Sequence, residues 1–193
     1  MALIVVGGQT KHVGKTTLIC NIIRSFPQCK WIAVKFTPHP HAPSDTGQVA
    51  TGLGWAISEQ YSSSDGNDTA KFLLAGADRA LLMYSEAAHF PDACADLLQC
   101  VSNADNAVIE SSSVVNVLHA DLSLLVIDPS RADFKSSAKE QLASADALLV
   151  REPQPPYDEG WMQSATKIPI FRPRLAGLDP ELMLLLKSVL HCP

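Results

Sequence analysis

The sequence predicts an α/β fold, a mostly parallel sheet with helices on both faces, built as a single domain over residues 1–193. Three observations predict it. Strand-length apolar runs alternate with helical periodicity along most of the chain. Those runs are apolar throughout, as in strands covered on both faces. The first run passes through Gly7-Gly8 into a polar stretch and then into Gly14-Lys15-Thr16-Thr17, where a helical pattern begins. That succession is strand, phosphate-holding loop and helix.

The first strand is expected over about residues 2–7 and the first helix over about 15–25, with Leu18, Ile19, Ile22, Ile23 and Phe26 on its buried side and Pro27 ending it. Residues 31–36 read as the second strand. The proline-rich segment 37–45 excludes helix. The Gly/Ser/Thr-rich stretch from there to about Asp68 is too long for an idle connection, so a functional loop is expected, with a short helix or hairpin inside 52–61. A helix over 68–76 is capped by Asp68 or Asn67 and closed by Gly76. A strand over 79–84, an amphipathic helix over 90–101 and a buried strand over 107–109 ending at Glu110 follow. Next come a strand over 122–127 ending at Asp128, a helix over 135–143, a strand over 147–150 and a short strand over 168–171. Asp179 caps a C-terminal helix with Pro180 at its first position.

Ligands of parallel sheets gather at the carboxyl ends of the strands. This puts the loop, Lys35, Glu110, Asp128 and Arg151 on one rim. The candidate nucleotide-binding residues are Gly8, Lys11, His12, Val13, Gly14, Lys15, Thr16 and Thr17. Backbone N–H groups of the loop and the helix start would cradle phosphate, and Lys15 would reach the terminal phosphates. Thr16 and Glu110 are the candidate Mg²⁺ ligands, one by hydroxyl and one by carboxylate. Lys15, Lys35 and Glu110 are the candidate catalytic residues. Ser111, Ser112 and Ser113 would either donate to phosphate or substrate or form an ordinary turn. His39 and His41, with Asp45 nearby, are a candidate transition-metal pair lacking an evident further ligand. Arg151-Glu152-Pro153 follows a strand end where folds with such a phosphate loop often contact the nucleotide base, so it is a candidate base-contacting loop. No Asn/Thr-Lys-x-Asp guanine motif occurs, so GTP and ATP both remain open.

Composition bounds the partners. The chain is 47% hydrophobic and 18% charged, as expected of a globular domain. A formal net charge of -5 argues against nucleic acid held by general electrostatics. No apolar run is long enough to span a membrane. The short apolar start lacks the basic region of a signal peptide, so a cytoplasmic location is expected. Cys20, Cys29, Cys94, Cys100 and Cys192 form no CxxC pair, and the odd count reads as reduced thiols.

One departure from the standard phosphate loop is informative. Five residues, where the usual motif has four, separate Gly8 from Gly14, and Gln9 stands in place of the first glycine. This longer loop resembles the dethiobiotin synthetase branch of the SIMIBI class of P-loop NTPases. Beyond the loop, the second strand ends in Val34-Lys35, and Gly66-Asn67-Asp68-Thr69-Ala70-Lys71 leads to Ala75-Gly76-Ala77-Asp78 and a strand. That order resembles the molybdopterin-guanine dinucleotide biosynthesis adaptor (MobB) family over roughly residues 1–127. The resemblance implies a P-loop NTPase fold, GTP binding with Mg²⁺, slow hydrolysis, a homodimer and an accessory role in molybdenum cofactor maturation. Lys15, Thr16, Glu110 and Asp68 carry the matching phosphate, metal and neighbouring-loop roles.

Three functions therefore compete. The first is a Mg²⁺-dependent nucleotide-binding adaptor with a client protein. The second, implied by the dethiobiotin synthetase likeness, is an ATP-dependent ligase or kinase whose Lys35 and serine run bind a small anionic substrate. The third is a degenerate loop that scaffolds a partner without nucleotide, against which Lys15, Thr16 and Glu110 are all present.

Overall fold

The computed structural model describes residues 1–40, 45–64, 66–151, 167–172 and 177–192. Its strands are β1 (Ala2–Gly8), β2 (Trp31–Thr37), β3 (Thr46–Gly52), β4 (Trp55–Gln60), β5 (Arg79–Ser85), β6 (Asn106–Glu110), β7 (Leu122–Ile127), β8 (Ala147–Val150) and β9 (Ile170–Phe171). Its helices are α1 (Lys15–Ser25), α2 (Asp68–Ala75), α3 (Phe90–Val101), α4 (Ser136–Leu142) and α5 (Pro180–Val189). One sheet runs in the order β3-β4-β5-β2-β6-β1-β7-β8-β9. Its pairs are parallel from β5 through to β9, and β4 is antiparallel to both β3 and β5. The expected mostly parallel α/β sheet is found.

Alternate residues of the strands feed opposite layers, as the two-residue period requires. Ile4 and Val6 of β1 face α1, α2 and α5, where Ile19, Ile22, Phe72, Leu182 and Leu186 pack. Leu3 and Val5 face the other way, onto α3 through Cys94, Leu97 and Val101. Farther along that second face, Leu125 and Ile127 of β7 meet Ala138 and Leu142 of α4. Helices thus cover both faces.

Chain order places the site. From β1 the chain crosses to β2 on one side of the sheet, and from β6 it passes to β7 on the other. The carboxyl end of β1 is therefore the switch point, where a parallel sheet leaves a crevice.

Two expectations need correction. Much of the segment read as a long functional loop after Lys35 is sheet. β3 and β4 form a hairpin through Leu53-Gly54 and extend the edge beyond β5. The hairpin weighed for 52–61 exists, but its first strand starts at Thr46. β3, Thr-Gly-Gln-Val-Ala-Thr-Gly, is largely exposed and not apolar, so the apolar-run criterion passes over it. The second correction concerns the thiols. Cys29 and Cys192 form a disulfide across 163 positions of sequence, whereas Cys20, Cys94 and Cys100 are free. No local spacing could reveal a pair joined only by the docking of the C-terminal segment.

Candidate functional site

The site is built from four strand ends and the turn that follows β1. Gly14 ends that turn at φ 106, a left-handed conformation that glycine adopts without steric cost, and α1 begins at the next residue. Among the described residues, the backbone N–H groups of residues 11–17 meet no acceptor, so they remain available to an anion at the start of α1. Gly8, Lys11, His12, Gly14, Lys15, Thr16 and Thr17 line a cleft of about 920 Å³. Val13 does not: its side chain is buried in the core beneath the loop, and among the named loop residues it anchors from below.

The parallel register brings the charged groups level. Glu110 is opposite Val6 on one side and Lys35 on the other. Glu110 is almost fully buried, and one oxygen accepts from the Thr16 hydroxyl at 2.8 Å while the other is paired with the Lys35 ammonium. Lys35 also pairs with Asp68 at 3.0 Å, and Asp68 with Lys71 at 3.1 Å. A continuous line, Thr16–Glu110–Lys35–Asp68–Lys71, thus crosses the floor of the cleft. Burial pulls the Lys35 ammonium down, but Glu110 and Asp68 outweigh it and hold its pKa above the ordinary lysine value. Burial likewise opposes ionisation of Asp68, yet Lys35 and Lys71 hold that carboxyl below its ordinary value.

Lys15 is placed differently. Its ammonium donates to the Thr10 carbonyl at 3.0 Å, across the mouth of the loop. Burial lowers its pKa, helped by the positive charges of Lys35 and Lys135 and only partly offset by Glu110. It is a half-buried cation lacking a carboxylate partner in hydrogen-bond contact among the described residues, which suits it to a phosphate. The hydroxyl of Thr16 and the carboxylate of Glu110 lie side by side as hard oxygen donors. This donor set fits Mg²⁺, which takes few protein oxygens and completes its shell with water and phosphate.

The serine run is divided in use. Ser111 Oγ accepts from the N–H groups of Ser113 and Val114 and so closes its own turn. Ser112 Oγ accepts from the Gly8 N–H at 3.0 Å and ties the β6 end to the loop. Asp128 accepts from Ser130 and pairs with Arg151 at 3.1 Å, beside the loop on the β7 side. Glu152 and Pro153 lie outside the described residues. His39 lines the cleft, but His41 is outside the described residues, and among those described no cluster of three His, Cys, Asp or Glu could hold a metal.

No protein-family model and no curated protein matches the chain. Solved structures do. HypB from Helicobacter pylori in complex with nickel aligns at 17% identity over 97% of this chain and 84% of that one, with a TM-score of 0.56. A Zn(II)-bound triple mutant of the YjiA GTPase aligns at 14% identity over 100% of this chain and 65% of that one, with a TM-score of 0.53. LpxK from Aquifex aeolicus in complex with ATP aligns at 16% identity over 89% of this chain and 53% of that one, also with a TM-score of 0.53.

The chain has the P-loop NTPase fold.

A MobB protein homolog from Bacillus stearothermophilus also aligns, at 16% identity over 98% of both chains with a TM-score of 0.40. The chain spans about two thirds of the length of the YjiA structure and about half that of LpxK.

Several residues around the P-loop escape sequence reasoning. Arg24, Lys71 and Lys135 all line the cleft. Lys71 carries a readable signal, since it stands three positions after Asp68 on a capped helix, where side chains meet. Lys135 carries none, being an isolated lysine ahead of α4.

Proposed function

We propose that this chain binds a purine nucleoside triphosphate, GTP or ATP, with Mg²⁺ and hydrolyses it slowly. The observation that carries this is the convergence of Lys15, Thr16, Glu110 and Lys35 under one P-loop. Free loop N–H groups and Lys15 would take the phosphates, and Thr16 with Glu110 would hold Mg²⁺. The bound Mg²⁺ would offset charge on the polyphosphate. Slow turnover follows from Glu110. The Lys35 ammonium and the Mg²⁺ that Glu110 would hold leave this carboxylate poorly placed to take a proton from water.

The finer form of this reading is a cytoplasmic, homodimeric accessory protein of molybdenum cofactor biosynthesis that acts on a client. It draws on the 66–78 stretch, where Asn67 caps α2 and Asp68 reaches Lys35. A second reading, an ATP-dependent ligase or kinase of the dethiobiotin synthetase type, is favoured by space. Beside the cleft is a chamber of about 490 Å³ that shares Lys35, Thr37, His39 and Asp68 with it, where a small anionic substrate would fit.

Calorimetric titration with Mg–ATP and Mg–GTP, with Lys15→Ala as control, tests the proposal. Binding of one nucleotide is expected, weakened roughly 10- to 100-fold by Lys15→Ala through loss of a charge-assisted contact. Equal binding by the wild type and the variant would count against it. A preference for ATP with turnover stimulated by a carboxylate or amine would favour the second reading. A preference for GTP with slow, unstimulated turnover would favour the first.

A further inference from the structure

The connection from β7 to α4 is stitched to the P-loop at four points. Gln9 Nε2 donates to the Arg131 carbonyl at 2.7 Å, and Gln9 Oε1 accepts from the Asp128 N–H at 2.9 Å. The Lys135 N–H donates to the Gln9 carbonyl at 3.0 Å, and the Thr10 hydroxyl donates to the Asp133 carboxylate. Gln9, the residue standing where the usual loop has glycine, is buried, and its amide is spent on this connection.

The stitching sets Lys135 on the wall of the phosphate cleft, approaching from the β7 side of β1 while Lys35 approaches from the β2 side. Among the described residues Lys135 has no ion-pair partner. It also stands at the N-terminal cap of α4, where a cation is locally disfavoured and its side chain makes no capping bond. Its charge is near enough to Lys15 to act on it. Lys135 is exposed at this wall, so its ammonium is open to an anion in the cleft. Gln9 thus departs from the glycine pattern in order to hold this connection, and the connection leaves Lys135 at the cleft wall without a carboxylate partner among the described residues.

We propose that Lys135 is a phosphate-contacting residue of the nucleoside triphosphate site, and that Gln9 is the positioning residue that brings the β7–α4 connection and Lys135 to the loop. This rests on the nucleotide-binding reading above.

The test titrates Mg–ATP and Mg–GTP into the full chain and into Lys135→Ala, Lys135→Arg, Gln9→Ala and Lys15→Ala. Thermal unfolding of each is recorded without nucleotide. Lys135→Ala is expected to weaken the preferred nucleotide roughly tenfold, as loss of one charge-assisted contact should, with an unchanged melting temperature. Lys135→Arg should recover most of the affinity. Gln9→Ala should reproduce part of the Lys135→Ala loss, and adding it to Lys135→Ala should weaken binding no further. If Gln9→Ala does not fold, the two Lys135 variants decide. Lys135→Ala affinity within twofold of wild type, while Lys15→Ala has lost binding, would overturn the role of Lys135 and leave the nucleotide reading intact. A loss that follows a lowered melting temperature would also overturn it, because that marks a structural role. No binding of either nucleotide by the wild type would remove the nucleotide reading and the role of Lys135 with it.

Discussion

At the scale of single residues, Lys15 shows how burial prepares a cation for its ligand. Its pKa lies below the ordinary lysine value because burial outweighs the attraction of Glu110, and Lys35 and Lys135 add to the depression. A bound polyphosphate favours the ammonium and moves the pKa back up. Between the free and bound values, binding must therefore take up a proton, and affinity must fall as pH rises through the free value. Calorimetry in two buffers of different ionisation enthalpy checks this. Little proton uptake is expected at about pH 7 and more at about pH 9.5, closer to the ordinary lysine range. Lys15→Arg should lose the added uptake, because guanidinium stays charged. Identical uptake in the wild type and Lys15→Arg would assign the proton elsewhere. Much of this residue-level picture was legible, since Gly14-Lys15-Thr16 announces a phosphate loop. The inward packing of Val13 and the partners of Gln9 were not. A motif gives residue order, whereas the direction of a side chain depends on what surrounds it.

At the scale of elements, caps and strand ends were the most readable features. Asn67 Oδ1 accepts from the Ala70 N–H at 2.8 Å and caps α2, one of the two residues expected to do so. Asp179 accepts from the Glu181 N–H at 2.9 Å, with Pro180 opening α5. The β3–β4 hairpin was the least readable, because its outer strand is polar and exposed. Packing between elements adds a constraint on Gly7 that no pattern showed. A Cβ on Gly7 would clash with the amide of Gln141, reaching over from α4. Gln141 is fully buried and its Nε2 donates to Ser123 Oγ and the Leu124 carbonyl, so it has little room to withdraw. Gly7→Ala should destabilise the fold by about 1–3 kcal/mol through overpacking. Urea unfolding measures this, and an unchanged midpoint would show that Gln141 can repack.

At the scale of the whole molecule, the C-terminal segment is fastened at the end of the sheet opposite the P-loop. The Asn106 side chain donates to the His191 carbonyl at 2.8 Å and accepts from the His191 N–H at 2.8 Å. Beside it Cys192 is bonded to Cys29, just ahead of β2. A cross-link spanning 163 positions removes much of the freedom of the unfolded chain. Cys192→Ser should therefore lower the stability of the oxidised protein by about 2–4 kcal/mol. Nucleotide binding should survive, because the bond lies away from the cleft. Denaturant unfolding with and without reductant checks this. Equal stability of the wild type under both conditions would mean that the bond does not constrain the chain.

The sequence by itself determined the alternation of strand and helix, the loop after β1, and which strand ends bear charge. Each of these depends on neighbours in the chain, where periodicity, glycine and capping act directly. Tertiary structure alone decided the rest. It set Lys35 against Glu110 through parallel register, joined Cys29 to Cys192, and brought Lys135 to the P-loop through Gln9. These contacts join residues dozens of positions apart or more. They exist only once the sheet has ordered its strands, and no local preference encodes that order.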